Sequence, residues 1–298
     1  MQIKYGINNI NIDVTNICFN KLFQNNIITI QSGDHNRAYY FTDPIIGVLK
    51  KIYIIIDNNT TEYDHTQTIK IDITTQTITT QTTQAIINDI DNKISQLHSK
   101  LKLNYGSFTD ELPEQKMVLR YLTGREKVLE IGSNIGRNSL IIASIIDNNN
   151  FLTLESDTSI FNQLNKNKNL NNFTFYTENS ALSTLKLIQK DWETMVSDNL
   201  LPDYKWVNTI TLKNLYTKYN IQFDTLVLDC EGAFYYILMD FPEILNNIKL
   251  IIMENDYHDI SHKNYINNVL KNNNFYVDYV EGGGWGPCYN NFYEVWKK

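Results

Sequence analysis

From residue 105 onward the chain alternates between two hydrophobic periods, and that alternation limits its fold more than any other feature. The spacing predicts strands over 127–131, 151–155, 173–177, 223–229, 249–254, 275–280 and 292–296. Between them it predicts helices over 110–122, 135–146, 158–170, 184–195, 232–238 and 261–273, with 209–219 undecided. Short β-branched runs read as strands, and apolar residues three and four apart read as helices. Such alternation implies an α/β fold with a mainly parallel, doubly wound sheet. Ligands of these sheets bind beyond the carboxyl ends of the strands, so chemistry is sought there.

Residues 1–84 follow a different grammar and read as a β-rich module. Ile69, Ile71 and Ile73 alternate with Lys70 and Asp72, and 27–30 and 51–57 are further β-branched runs. The Thr/Gln tract 74–84 is open between an edge strand and a linker, since Thr is strand-compatible. Ile86, Ile90, Ile94, Leu97 and Leu101 then form one stripe of an amphipathic connecting helix over 85–104. It reads as packing on one domain in preference to a zipper, because two heptads are short for a coiled coil. A homo-oligomer through this stripe or the β module stays open.

With 298 residues the chain has room for two domains. Its net charge of -7 gives no sequence-wide basic footprint for nucleic acid. Cys18, Cys230 and Cys288 are too far apart for a cysteine cluster and too few for a disulfide framework. The start lacks an apolar signal core and no window is long enough to span a bilayer, so a cytoplasmic protein is expected.

The first strand of the second half ends in Glu130-Ile131-Gly132-Ser133-Asn134-Ile135-Gly136. Gly132 can adopt a tight strand-to-helix turn and Gly136 can admit a close helix. The third glycine of a dinucleotide site is missing, and Glu130 would repel a pyrophosphate. An ammonium or sulfonium suits that acid, and S-adenosylmethionine carries both and no phosphate. Glu155, closing the next strand, suits a ribose diol. Asn179 and Ser180, after the third strand, are placed to read adenine, or Asn179 caps a helix.

These segments resemble the FkbM family of S-adenosylmethionine-dependent methyltransferases. The matching runs are VLEIGSNIGRNSL (128–140), LTLESD (152–157), ENSALS (178–183), TITLKNL (209–215), FDTLVLDCEGAF (223–234) and LIIMEND (250–256). Asp229, Glu231 and Gly232 form the Asp-x-Glu-Gly run that is most telling. Phe234 and Lys213 stand where an acid is usual, and residues 1–84 fall outside the resemblance. It implies a Rossmann-like class I methyltransferase with an antiparallel last strand, and the cofactor S-adenosylmethionine bound by Glu130, Gly132, Asn134, Gly136, Glu155, Asn179 and Ser180. It also implies O-methyl transfer to a hydroxyl of a glycan or small metabolite.

A hydroxyl needs a base or a metal to become a good nucleophile. Candidates at the ends of strands four and five are Asp229, Glu231, Glu254, Asp256 and His258, with His258 preferred for its ordinary pKa. Asp229 and Glu231 suit a helix N-terminus equally. Four converging carboxylates would suit a divalent metal, though no spacing demands one. Trp285, in the loop 281–288, could stack on a sugar face. Two other functions remain: a nucleic-acid or protein methyltransferase, for which the acidic charge is unfavourable where the substrate is nucleic acid, and a non-catalytic binding module on the same fold.

Overall fold

The computed structural model describes residues 1–298, with the side chains of residues 35, 83, 84 and 86 outside the description. Two compact units are present, 1–91 and 92–298. The division falls inside one helix, Thr83–Lys100. Of its stripe, Ile86 lies outside the described residues. Ile94 is buried in a core of the second unit, with Leu97 and Leu101 packed against it.

The first unit holds two four-stranded antiparallel sheets. Ile28, Ile30, Ile69 and Ile71 are buried at alternate positions, as period 2 requires. The Thr-rich tract does form a strand, Thr77–Thr82, paired with Gln67–Asp72. Two short helices, Thr15–Lys21 and Asp34–Phe41, were not expected from the β grammar.

In the second unit seven strands form one sheet: β1 Val128–Ile131, β2 Phe151–Leu154, β3 Tyr176–Glu178, β4 Thr225–Leu228, β5 Leu250–Glu254, β6 Tyr276–Glu281 and β7 Tyr293–Lys297. Their order is β3-β2-β1-β4-β5-β7-β6. All neighbouring pairs are parallel except those of β7, which is antiparallel to both β5 and β6. This is the Rossmann-like arrangement with an antiparallel last strand of the class I methyltransferases. The helices are α1 Leu112–Tyr121, α2 Arg137–Ile145, α3 Thr158–Leu170, α4 Leu212–Tyr219, α5 Phe234–Asp240 and α6 Ile260–Asn272. Strands β1, β2 and β4 are buried along their whole length, which is why they read as continuous apolar runs. The pleat divides them between two cores: Leu129, Ile131, Leu226 and Leu228 enter one, Val128 and Val227 the other.

One expected helix is not there. Residues 184–195 carry good helix formers, yet Leu187–Lys190 and Glu193–Val196 form a hairpin joined by a third strand, Lys205–Val207. Asp191 takes the turn at φ +49°, a backbone conformation that Asp tolerates better than most residues. Burial of Leu187, Ile188 and Gln189 overrides the helical propensity. Among the described residues no helix is long and apolar enough to cross a membrane.

Candidate active site

A cavity of about 1170 Å³ opens beyond the carboxyl ends of β1, β2, β4 and β5. The turn after β1 supplies one wall. A side chain at Gly132 would put its Cβ 1.6 Å from the backbone oxygen of Asp229, so only glycine lets β1 and β4 exit side by side. Gly136 is required for another contact, since its Cβ would stand 2.4 Å from Leu164 of α3. Gly132 lines the cavity and Gly136 does not.

Glu155 sits on the cavity wall at the end of β2. Its Oε2 accepts the Asn134 N–H at 2.9 Å and its Oε1 accepts the Asp157 N–H at 2.8 Å. The Ser156 amide also acts on this carboxylate. Burial nevertheless pushes the Glu155 carboxyl up to about 7. Asn134, at φ +49°, also reaches Glu111, whose Oε1 lies 2.6 Å from Arg137 Nη1. Ser180 completes this end, with its hydroxyl held by Glu178 at 3.0 Å.

Besides Gly136, four expected site residues are not brought to the cavity. Glu130 shares the face of Val128, and the pleat turns it under α2, where Ser139 Oγ donates to it at 2.5 Å. It is buried, and desolvation raises its carboxyl to about 7. Asn179 is neither at the cavity wall nor a helix cap. Its amide clamps the carbonyls of Glu155 and Ser156, and Thr158 donates to its oxygen. It therefore fixes the turn that presents Glu155. His258 and Trp285 pack on each other, ring centroids 4.4 Å apart, and neither lines the cavity.

Asp229, Glu231 and Glu254 do line it. Neither Asp229 nor Glu231 caps α5, which starts without a side-chain cap. Glu231 lies at the exposed rim with φ +50°. Burial on its inner side raises its carboxyl, and Asp256 hydrogen-bonds it from behind. Asp256 in turn accepts the Gly232 N–H at 2.8 Å and is itself pushed up to about 7, by burial first and the Glu231 charge second. Asp229 is raised well above the carboxylate range by desolvation and by the surrounding acids. Glu254 is pushed up to about 12 by burial and by its hydrogen bond to Glu114. Among the described residues no His, Cys, Asp and Glu are grouped as a metal site.

The sequence reading missed two contributors. Glu114 enters from the first turn of α1, which carried no motif. Leu187, Gln189, Trp192, Thr194, Met195 and Val196 come from the hairpin that was expected to be a helix.

No family model matches the chain, and no curated protein matches it. Solved structures resemble it at low identity. The ribosomal protein L11 methylase of Lactobacillus delbrueckii subsp. bulgaricus is 11% identical with a TM-score of 0.40, over 65% of this chain and 79% of that one. The O-methyltransferase of Bacillus cereus, solved in complex with SAH, is 14% identical with a TM-score of 0.39, over 72% and 91%. The precorrin 8w decarboxylase of Methanobacterium thermoautotrophicum is 12% identical with a TM-score of 0.37, over 67% and 98%. Matches at these TM-scores say nothing of activity, and the fold rests on the chain's own strand order.

Proposed function

We propose that the protein is an S-adenosylmethionine-dependent O-methyltransferase acting on a hydroxyl of a glycan or small metabolite. The carrying observation is Glu155: a carboxylate held by backbone amides at the end of β2, on the wall of the large cavity described. The donor set fits that cofactor. Lys205 is the single basic side chain at the cavity wall among the described residues, so a pyrophosphate would meet repulsion while a sulfonium and ammonium would not. Glu155 would hold the ribose diol, and Gly132, Asn134 and Ser180 would border the nucleoside and methionine. The FkbM resemblance supports the same reading, since its Asp-x-Glu-Gly run ends β4 at the cavity.

Once bound, the cofactor supplies an electrophilic methyl group. The chain's task is to aim an acceptor oxygen at it and to remove the proton that oxygen loses. Alignment at near contact can provide a large part of the rate. Glu231 is best placed to take the proton: it lies at the mouth, its basicity is raised, and Asp256 holds it from behind. His258 does not line the cavity and would act on the proton only through Glu231, which lies within reach of its charge.

Titration of the full chain with S-adenosylmethionine tests the cofactor. Glu155→Ala should weaken binding about ten- to a hundredfold, the worth of a charge-assisted hydrogen bond. Unchanged affinity would remove Glu155 from the site. Glu231→Gln should lower turnover by about a hundred- to ten-thousandfold with cofactor affinity intact. Wild-type turnover in that variant would leave positioning as the whole mechanism.

A further inference from the structure

The cavity holds more acidic side chains than the cofactor can answer. Nine carboxylate side chains line it against one lysine. Several are answered locally: Glu111 by Arg137, Glu155 by two backbone amides, Asp157 by the N–H groups that open α3. Glu114, Asp229 and Glu254 are not. They come from α1, β4 and β5 and converge on one end of the cavity. Glu114 is 5% exposed, and no N–H or hydroxyl donor of the described chain reaches its Oε2. A buried carboxylate answered only by a neighbouring acid is costly, and its retention points to a ligand that donates.

S-adenosylmethionine brings two positive charges and one negative. One ammonium can satisfy Asp229, which leaves the Glu114 and Glu254 pair. We propose that Glu114 and Glu254 bind a protonated amine on the acceptor, so that the substrate is an amino alcohol or amino sugar methylated on oxygen. This rests on the methyltransferase reading and narrows its substrate class. The amine anchors one end of the acceptor while its hydroxyl lies towards Glu231. Burial and a hydrogen bond to Glu114 keep the Glu254 carboxyl protonated in the free protein. An ammonium that enters releases this proton to solvent: one cation arrives, one proton leaves, and no covalent bond changes.

The test is calorimetric titration of the full chain, saturated with S-adenosylhomocysteine, with 4-aminocyclohexanol and with its neutral counterpart cyclohexane-1,4-diol. The amino alcohol should bind about ten- to a hundredfold tighter. Its apparent enthalpy should vary with the ionisation enthalpy of the buffer, in proportion to about one proton released. Glu114→Gln and Glu254→Gln, each checked for a cooperative melting transition, should reduce the amine preference to about none and abolish the proton release. Affinity for S-adenosylhomocysteine should not change. Equal binding of amine and diol by the wild type would overturn the proposal. So would a loss of S-adenosylhomocysteine affinity in the variants with the amine preference retained, which would make these carboxylates cofactor ligands. Saturable Mg²⁺ binding abolished by the same variants would replace the amine with a metal. If S-adenosylhomocysteine fails to bind at all, the methyltransferase reading falls, and titration of the free chain with the same pair still decides the amine site.

Discussion

Lys50 in the first unit and Glu114 in the second are both almost wholly buried, at 1% and 5% exposure, and their surroundings treat them in opposite ways. Lys50 Nζ lies 2.6 Å from Asp34 and 2.9 Å from Asp43, and it donates to the Ile45 carbonyl at 3.2 Å. Burial alone would lower its pKa, but these acids more than reverse that and raise it. Arg37 nearby is likewise spent, on the carbonyls of Gln31, Asp64 and Gln67. Glu114, Asp229 and Glu254 lie close to one another with no cation of the described residues among them. A buried charge with a full set of partners holds a fold in one arrangement. Buried carboxylates without partners lower stability, and their place at a cavity wall marks the surface kept for a ligand.

The comparison can be broken most severely at Lys50. Lys50→Met leaves Asp34 and Asp43 without their cation and should cost about 4 kcal/mol of unfolding free energy, read from urea denaturation. A loss below a quarter of that would mean the first unit does not depend on its paired charges.

The next effect is on pH. Burial raises Glu130 from 4.5 to about 7, so the folded state keeps a proton that the unfolded chain gives up in that window. The Glu130 contribution should therefore fall as pH rises from about 4.5 to about 7 and level off above. Glu130 alone accounts for about 3 kcal/mol of the fall at 1.36 kcal/mol per pKa unit. Glu155 is raised to the same value by its own burial and adds in the same direction. Urea midpoints at pH 5 and pH 8 measure the slope, and Glu130→Gln should reduce it by the Glu130 share. A rising slope would contradict the assignment of cause.

Glu254→Gln should do the reverse of Lys50→Met. Removing an acid held protonated against its tendency should stabilise the ligand-free protein by about 2 kcal/mol at pH 8, and by less near pH 4.5. Destabilisation at pH 8 would show that the carboxyl serves the fold and not a ligand. The smallest effect is expected from deletion. A fragment spanning 83–298 keeps the helix that carries Ile94 and should bind S-adenosylhomocysteine with the affinity of the full chain. A folded fragment that has lost binding would place part of the site in residues 1–82.

Much of the second unit can be read from the chain because its signals are local. Parallel strands buried on both faces are continuous apolar runs, and Asp157, Thr211 and Asp259 announce the helices they cap. Glu155, Gly132, Asn134, Asp229, Glu231 and Glu254 were found because they follow strand ends in a sheet of known polarity. Two kinds of information were out of reach. The hairpin at 187–196 has helix-forming residues, and burial of one face decided against them. Glu130 and Asn179 had the right types at the right spacing, but the pleat and a pair of carbonyl contacts turned them to structural work.

By itself the sequence determined the alternation of sheet strands and helices in the second unit, the turn glycines and the strand-end acids, because period, cap and turn are properties of neighbouring residues. Only the tertiary structure decided which acids share the cavity. Glu114 lies 115 positions before Asp229 and 140 before Glu254 in the chain, and no local pattern links them. Their meeting depends on how α1 packs across the ends of β4 and β5. That packing also sets their desolvation, and so the unanswered charge from which the site's ligand chemistry follows.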